Sequence, residues 1–424
     1  RNKMMHDTLI LCCHEGVKDT KQAFGNLFSQ VDYLCKAHGI KVADKIAIQT
    51  MRRHSNSQEP LSSEDLKYDA RALAIFISAV FGVDVPHELN VLIPHTNRPY
   101  QKGLEINNRR IRCIVKNWDS DFIRVDIDQD ADEDEYLVQL KDEENHIDHT
   151  YLWDILKEGM QLNLLDCQVK QPVITPRLIV VEPDYLVDIS SIATCFTAFG
   201  HHPLLYLLNQ MKPRANTQAT LLGNFAGAAL DDIINTNGKY QMNETIKTNF
   251  REKALEFCTC PWFDAKKFYT DANQQAFNLQ QVVDILFPRT ASQAQMSAFR
   301  GESLYDRKKA ILEPSFVCEA LGIQGRVDLM TTDCKLLVEQ KSGRNMNIET
   351  HQVDPGYHSY QLEPHYVQLL LYYGVLQHNF KLSNDRVNIR LLYSKYQPQD
   401  GLMVVAYYQK LFKEAIEYRN QLVA

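Results

Sequence analysis

The sequence predicts an α/β protein in which a helical N-terminal region and a small β-barrel precede a larger domain of strands sandwiched by helices. Three observations predict this class: apolar residues at three- and four-residue spacing near the N-terminus, short β-rich runs between residues 91 and 187, and mixed strands and helices thereafter. With 424 residues, 45% of them hydrophobic, the chain has room for two or three domains. We expect these domains at residues 1–85, 86–188 and 189–424.

The N-terminal region is predicted to be helical up to about Phe81. Two segments, TKQAFGNLFSQVDYLCKAHGI and SSEDLKYDARALAIFISAVFGV, carry apolar residues at helical spacing. Ser62 or Ser63, followed by Glu64 and Asp65, is a suitable N-cap for the second helix. We interpret these helices as a packing or partner-binding unit rather than as a site of chemistry.

The second region is predicted to be β-rich, with the runs RRIRCIVKNW, DFIRVDID, EYLVQL, MQLNLLDCQV and RLIVVEP separated by turns. This pattern favours a small barrel, for example of the oligonucleotide-binding (OB) type. Trp118, Phe122 and Arg124 are then candidate contacts for single-stranded nucleic acid, with core packing as the alternative for the aromatic residues. The acidic stretch from Asp126 to Asn145 is typical of a solvated hairpin tip.

The net charge of −7 argues against a general nucleic-acid binder, but the charge is unevenly distributed. Residues 1–200 hold 22 Lys and Arg against 31 Asp and Glu, whereas residues 201–424 hold 24 against 22. The C-terminal half can therefore present a local basic groove.

Cysteine usage and hydropathy predict a cytoplasmic protein that does not enter a membrane. The ten cysteines have no regular spacing, which is typical of reduced thiols, and neither Cys12-Cys13 nor Cys258-x-Cys260 has the spacing of a zinc site. No apolar run approaches the length of a membrane span and no signal peptide is visible. Because the chain begins with Arg1 rather than Met, we expect it to be a piece of a longer protein.

The segment GRVDLMTTDCKLLVEQKSG predicts an antiparallel hairpin with strands at Gly325–Met330 and Lys335–Lys341. Strand alternation would place Asp328 and Glu339 side by side, with Lys341 one pleat beyond. A divalent metal requires such a pair of oxygen ligands held close together. The alternative is a solvated strand face with mixed charges.

Helices are predicted on both sides of this hairpin in the sequence. Upstream, SIATCFTAFGHHPLLYLLNQM and TLLGNFAGAALDDIINTN have helical patterns. Downstream, PHYVQLLLYY places His365, Gln368 and Tyr372 on one helical stripe, where they could orient a phosphate backbone or the lysine, or be boundary residues of a buried helix. A strand, VNIRLLYSKY, and a helix, YYQKLFKEAIEYRNQLVA, close the chain.

The order GRVD, VEQK and QLLLY resembles the nuclease domain of the RecB-like branch of the PD-(D/E)xK superfamily, in which an aspartate precedes an E-x-K strand and a Q-x-x-x-Y helix. The resemblance covers residues 189–424. The β-rich module and the closing EYRNQLVA are also similar to replication-associated nuclease-helicases that trim flapped DNA. The chain contains no GxxxxGK[ST], so the resemblance implies a helicase domain beyond its C-terminus.

The resemblance implies a metal-dependent nuclease for single-stranded or flapped DNA. Asp328 and Glu339 would bind Mg²⁺ or Mn²⁺, with the backbone carbonyl of Gln340 as an additional ligand. Lys341 would stabilise the attacking hydroxide or the charge that develops on the phosphate during hydrolysis by metal-activated water. The accessory or DNA-binding residues would be Arg344, His365, Gln368 and Tyr372.

The chain departs from the family pattern in two respects. An early helix of the family carries a metal-binding histidine four residues after a glycine, but the matching segment LLGNFAGAALDD has Gly223 followed by Gly227. Asp231, one turn on, could reach the metal, although we interpret Asp231 and Asp232 as solvated. Some relatives also hold a [4Fe-4S] cluster with three cysteines after the Q-x-x-x-Y helix; here the last cysteine is Cys334, so no cluster is expected.

Two alternatives to a nuclease remain open from the sequence. The chain could be a nucleic-acid-binding module whose nuclease fold lost activity with the histidine, and Gly227 favours this reading. It could also be a scaffold whose N-terminal helices bind a partner. The presence of Asp328, Glu339 and Lys341 together favours the enzyme.

Overall fold

The computed structural model shows a mixed α/β protein, as the sequence predicts. Its contacts divide the chain into two compact units, Arg1–Tyr185 with Val423–Ala424, and Leu186–Leu422. The N-terminal helices and the β-rich module lie in the first unit, and the hairpin lies in the second. The structure describes residues 2–22, 24, 26–54, 61–98, 109–127, 136–197, 200–213, 216–236, 238–344, 363–380, 382 and 387–424.

The first unit begins with five helices, of which the first four share one apolar core. These helices are α1 (Asn2–Val17), α2 (Leu27–Ala37), α3 (Val42–His54), α4 (Ser63–Phe81) and α5 (His87–Leu92). Helix α4 begins with a capping box between Ser62 and Asp65, which confirms the predicted N-cap. The first four helices contribute fully buried side chains to the core, among them Leu9, Val31, Ile48 and Phe76.

An antiparallel-rich sheet forms the remainder of the first unit. Its strands are β1 (Arg110–Trp118), β2 (Phe122–Ile127), β3 (Tyr136–Gln139), β6 (Gln161–Leu165), β7 (Gln168–Lys170), β8 (Val173–Thr175) and β9 (Leu178–Val181), while β4 (Lys141–Asp142) and β5 (Ile147–Asp148) form a separate hairpin. The strand order is β7-β8-β3-β2-β1-β6-β9. In the described residues the short edge strands β7 and β9 do not pair, so the predicted closed barrel is not found.

The candidate nucleic-acid contacts of the sheet have structural partners. Trp118 packs against the apolar core of the sheet, and Phe122 is partly buried. Arg124 forms an ion pair with Asp119, with 3.1 Å between Nη2 and Oδ2. Of the acidic stretch predicted to be a hairpin tip, residues 128–135 lie outside the described residues.

The second unit alternates helices and strands. Its helices are α6 (Ile189–Ala193), α7 (Leu204–Met211), α8 (Gln218–Asn235), α9 (Met242–Glu252), α10 (Ala254–Cys258), α11 (Ala265–Leu286), α12 (Ala291–Phe299), α13 (Glu363–Phe380), α14 (Pro398–Gly401) and α15 (Gln409–Val423). Its strands are β10 (Val187–Asp188), β11 (Phe196–Thr197), β12 (Gly200–His201), β13 (Ala310–Leu312), β14 (Ser315–Cys318), β15 (Ile323–Arg326), β16 (Leu329–Thr331), β17 (Leu336–Lys341), β18 (Asn388–Tyr393) and β19 (Leu402–Val404).

The helical pattern predicted across SIATCFTAFGHHPLLYLLNQM is interrupted. The segment forms α6, a two-stranded hairpin of β11 and β12, and then α7. Pro203 precedes α7 and cannot continue a helix from upstream, because it lacks an N–H and disfavours a helical conformation of the preceding residue.

A five-stranded sheet with the order β13-β16-β17-β18-β19 forms the centre of the second unit. Strands β17 and β18 are parallel, and the other neighbours are antiparallel. Leu336 and Val338 of β17 pack into a core with α8 and α11. Alternation turns Glu339 and Lys341 to the opposite face of the strand, which is the side of α13.

The first run of the predicted hairpin is not one strand. Its residues divide between β15, which belongs to a separate sheet with the order β10-β15-β14, and β16 of the central sheet. Val327 and Asp328 lie between the two strands. They remain hydrogen-bonded there, because Val327 N donates to Pro314 O at 3.2 Å and Glu313 N donates to Asp328 O at 2.9 Å. The antiparallel hairpin of β16 and β17 is as predicted.

No helix in the described part of the chain is long and apolar enough to cross a membrane. All ten cysteines lie within the described residues and are free thiols. Most of them are buried, including Cys13 of the Cys12-Cys13 pair and Cys260 of the Cys258-x-Cys260 pair.

A close contact between α13 and α15 predicts opposite effects for two helical glycines. A Cβ at Gly374 would overlap the ring of the buried Phe412, whereas a Cβ at Gly227 in α8 would meet no described atom within 4 Å. We expect Gly374→Ala to lower the free energy of unfolding by about 1–3 kcal/mol. Gly227→Ala should raise it by up to about 1 kcal/mol, because alanine is the better helix former. Urea unfolding of both variants tests this, and equal shifts of their midpoints would contradict it.

Candidate functional site

The hairpin of β16 and β17 brings two carboxylates together. Leu329 pairs with Val338, and extending this register by one residue places Asp328 opposite Glu339. The side chains confirm the proximity, since the backbone amide of Asp328 faces the Glu339 carboxylate and Asp328 Oδ2 accepts a 2.6 Å hydrogen bond from Gln340 N. The pair therefore lies side by side, as strand alternation predicts.

Lys341 binds one oxygen of this pair and leaves another unsatisfied. Its Nζ donates to Glu339 Oε1 at 2.7 Å, two residues along the same strand face. Glu339 is only 2% exposed, and its Oε2 has no hydrogen-bond partner among the described residues. A buried carboxylate oxygen without a partner is costly, which makes this atom a position where a ligand is favoured.

Burial raises the pKa of both carboxylic acids. The pKa of Glu339 rises to about 8, chiefly through burial and further through the charge of Asp328, while Lys341 opposes the shift. Burial also raises the pKa of Asp328, against the opposing effects of Lys341 and the Gln340 amide. Two neighbouring carboxylates in such surroundings favour a bound cation or a shared proton.

The residues present fit a hard divalent cation. Asp328 and Glu339 supply adjacent carboxylate oxygens, which are the ligands preferred by Mg²⁺ and Mn²⁺. The described residues contain no group of three or more Asp, Glu, His or Cys side chains arranged to hold one ion. The remaining ligands would therefore be water, which Mg²⁺ retains readily, and a backbone carbonyl such as that of Gln340.

The side chain of Gln340 belongs to a buried polar network that the sequence pattern does not predict. Its Nε2 donates to Ser394 Oγ at 2.8 Å, and that hydroxyl donates to Gln275 Oε1 at 2.7 Å. Gln275 Nε2 donates to Ser342 O at 3.1 Å, and Asn278 Nδ2 donates to Ser394 O at 2.9 Å. The network fixes the end of β17 to α11. The sequence feature that could have indicated this network is the pair of amides, Gln275 and Asn278, at i and i+3 on the apolar face of α11.

His365 of α13 lies near the lysine. Its Nδ1 shares a 3.1 Å hydrogen bond with the hydroxyl of Tyr393 in β18. Burial, and secondarily the charge of Lys341, lowers the pKa of His365 to about 3. The imidazole is consequently neutral at physiological pH and adds no second positive charge beside Lys341.

Tyr372 binds the backbone of the chain just before Asp328. Its hydroxyl donates to Arg326 O at 2.6 Å and accepts from Arg326 N at 3.1 Å. Gln368 also forms a hydrogen bond with it, and burial raises its pKa well above the usual value. A Cβ at Gly325 would lie 2.9 Å from Tyr372 Cε1, so this close approach requires a glycine. The predicted stripe of α13 therefore faces the hairpin.

Other charged groups lie around Asp328 and Glu339, or were expected to lie there, and the sequence patterns did not predict their surroundings. Glu313, at a left-handed backbone position with φ of 48°, forms an ion pair with Arg326, with 2.9 Å between Oε2 and Nη1. Asp231 and Asp232, predicted to be solvated, are both partly buried. Arg344 is exposed, three residues beyond the last residue of β17.

The raised pKa of Glu339 predicts a pH-dependent effect of Glu339→Gln in metal-free protein. The pKa of glutamate in the unfolded chain is about 4.3. Between that pH and about 8 the folded state binds the proton more strongly than the unfolded state. The free energy of unfolding of the wild type therefore falls as the pH rises through this range. The neutral glutamine removes this cost. We expect the variant to match wild type at pH 5 and to exceed it by roughly 1–3 kcal/mol at pH 8.5.

Thermal and urea unfolding in EDTA at these two pH values measures the difference. Asp333→Asn, which changes an exposed acid in the turn of the same hairpin, is the control and should show no such gain at pH 8.5. A Glu339→Gln variant less stable than wild type at pH 8.5 would show instead that the ion pair with Lys341 stabilises an ionised Glu339.

Comparison with known proteins assigns no family to the chain. A scan against protein-family models finds no match, and a search of curated proteins finds no similar sequence. A function must therefore be inferred from Asp328, Glu339, Lys341 and the stripe of α13.

Proposed function

We propose that this chain is a metal-dependent nuclease that hydrolyses phosphodiester bonds in single-stranded or flapped DNA. The observation that carries the proposal is the unsatisfied Oε2 of Glu339, buried beside Asp328 and on the same strand face as Lys341. The order of these residues and of the stripe on α13 resembles the RecB-like nucleases, which supports the same reading.

Asp328 and Glu339 would hold Mg²⁺ or Mn²⁺ together with the backbone carbonyl of Gln340. When bound, such an ion supplies a Lewis acid for the phosphate and lowers the pKa of water enough to give a nucleophile near neutral pH. The protein contributes a pair of carboxylates already held in register by β16 and β17, and Asp328 is kept in place by the Gln340 amide.

Lys341 would interact with the scissile phosphate. Its ammonium group is partly exposed and is oriented by Glu339, so it can stabilise negative charge that develops on phosphate oxygens. The neutral His365 adds no positive charge of its own beside Lys341. Tyr372 and Gln368 would act by positioning the backbone at Arg326, two residues before Asp328.

The resemblance to nuclease-helicases also suggests binding partners and a cellular location for the chain. DNA would be the substrate, contacted in part by the exposed Arg344. A helicase domain beyond the C-terminus and a cytoplasmic role in replication or repair belong to the same proposal.

A catalytically impaired nucleic-acid-binding module is the second candidate. Gly227 favours it, because this position carries the metal-binding histidine in the RecB-like nucleases. The lack of a third grouped ligand side chain among the described residues points the same way. DNA binding without cleavage by the intact chain would support this candidate.

DNA-cleavage assays with variants of the site and a matched control variant test the proposed nuclease activity. We expect the chain to cut labelled single-stranded and flapped DNA with Mg²⁺ or Mn²⁺ but not in EDTA. Asp328→Asn and Lys341→Met should lower the rate by at least about 100-fold, because the first weakens the metal site and the second removes the cation at the scissile phosphate. The turn variant Asp333→Asn should cut at the wild-type rate.

No cleavage by the intact chain with either metal, together with retained DNA binding, would favour the impaired module. Equal cleavage by the wild type and the Asp328→Asn and Lys341→Met variants would identify a contaminating nuclease and would also reject the proposal for this site.

The two tyrosines of α13 provide a separate test of positioning. Tyr372→Phe removes the hydroxyl that binds Arg326, whereas Tyr366→Phe removes one that donates to Ala406 O at 2.6 Å. Each change should cost roughly 1 kcal/mol of stability. Only Tyr372→Phe should slow DNA cleavage, by about tenfold, since a loss of 1.4 kcal/mol of transition-state stabilisation has that effect. Equal rates for the two variants would argue against a positioning role for Tyr372.

A further inference from the structure

One face of α8 is turned toward the end of β17. Gly223, Gly227 and Asp231 recur at four-residue intervals and therefore share this face. A Cβ at Gly223 would lie 3.1 Å from Ser342 Oγ, the residue after Lys341, while Gly227 faces open space among the described residues. The buried Leu230 and Ile234 border this face, so it lies at the edge of the part of α8 that enters the core. Asp231 is the acidic residue of this face.

Asp231 differs from its neighbour in its surroundings. Asp232 accepts a hydrogen bond from the hydroxyl of Thr245, whereas Asp231 forms no hydrogen bond or ion pair within the described residues. Asp231 is partly buried, and the acids that act on it are Glu313, Asp328 and Asp232. Burial first, and then these three acids, raise its pKa to about 6, while Arg326 opposes the shift.

The charges around this face favour a divalent cation. Five carboxylates interact there with two cationic side chains, which leaves an excess of negative charge. The unpartnered Oε2 of Glu339 is an independent indication of a ligand, because it is a buried atom of a residue that is only 2% exposed. The groups concerned are Asp231, Asp232, Glu313, Asp328, Glu339, Arg326 and Lys341.

We propose that Asp231 replaces the missing histidine by hydrogen bonding to water that the metal at Asp328 and Glu339 retains. This inference rests on the proposed metal site. A water-mediated role agrees with the absence, among the described residues, of three acidic, histidine or cysteine side chains grouped to bind one ion directly. Mg²⁺ keeps several coordinated waters, and side chains that orient such ligands affect affinity. Asp231 is therefore a positioning residue rather than a catalytic one.

The affinity of the full chain for Mn²⁺ tests this role without relying on cleavage. Isothermal titration calorimetry should show that Asp231→Asn weakens Mn²⁺ binding by at least about tenfold, the usual effect of removing an outer partner of a metal ligand. Asp232→Asn is the matched control: it should lower the melting temperature through the lost contact with Thr245 and leave the Mn²⁺ affinity within about twofold of wild type.

A histidine at Gly227 gives a second, independent readout. Because a Cβ at this position would meet no described atom within 4 Å, Gly227→His introduces an imidazole on the face of α8 that carries Asp231. We expect it to restore wild-type or tighter Mn²⁺ binding in the Asp231→Asn background. Asp231→Ser serves as the alternative should Asp231→Asn fail to fold, and it should weaken binding to the same degree.

The outcomes separate this inference from the proposed function. If Asp328→Asn abolishes Mn²⁺ binding while both Asp231 variants bind like wild type, the role of Asp231 is rejected and the metal site stands. If wild type does not bind Mn²⁺, or if Asp328→Asn binds as tightly as wild type, the metal site itself is rejected. If Gly227→His fails to improve Mn²⁺ binding by the Asp231→Asn variant, the proposal that Asp231 takes the place of the histidine is also rejected.

Discussion

The candidate site depends on one electrostatic constraint, the burial of Glu339 beside Asp328. Burying two neighbouring carboxylates is costly, and Lys341 compensates only one oxygen of Glu339. A protein that needed only a stable sheet could place apolar side chains at these positions. The arrangement is readily understood if a divalent cation offsets the remaining charge, and the register of β16 with β17 holds the two acids ready for it.

The elements around the pair serve to fix its geometry. The network through Gln340, Ser394 and Gln275 anchors the far side of β17 to α11. On the near side, Tyr372 of α13 binds the backbone at Arg326 and so restrains the segment that leads to Asp328. The two helices thereby hold the hairpin from opposite faces, which keeps the positions of Asp328, Glu339 and Lys341 precise.

Local sequence patterns predicted the parts of the site that depend on strand and helix periodicity. Alternation placed Glu339 and Lys341 on one face, and helical spacing placed His365 and Tyr372 on one stripe. The change of sheet at Val327 and Asp328, the open sheet of the first unit and the partners of Ser394 were not predictable in this way. Each depends on contacts between residues far apart in the chain, which periodicity does not encode. The surroundings of Asp231 were misjudged for the same reason, because Glu313 and Asp328, whose charges act on it, lie far from it in the sequence.

Anomalous X-ray scattering from crystals of the chain grown with Mn²⁺ tests whether the buried pair of carboxylates binds a metal. We expect an anomalous peak at the carboxylates of Asp328 and Glu339, with a ligand bond to Glu339 Oε2. An occupied Mn²⁺ position elsewhere, with Glu339 Oε2 still without a partner, would contradict it.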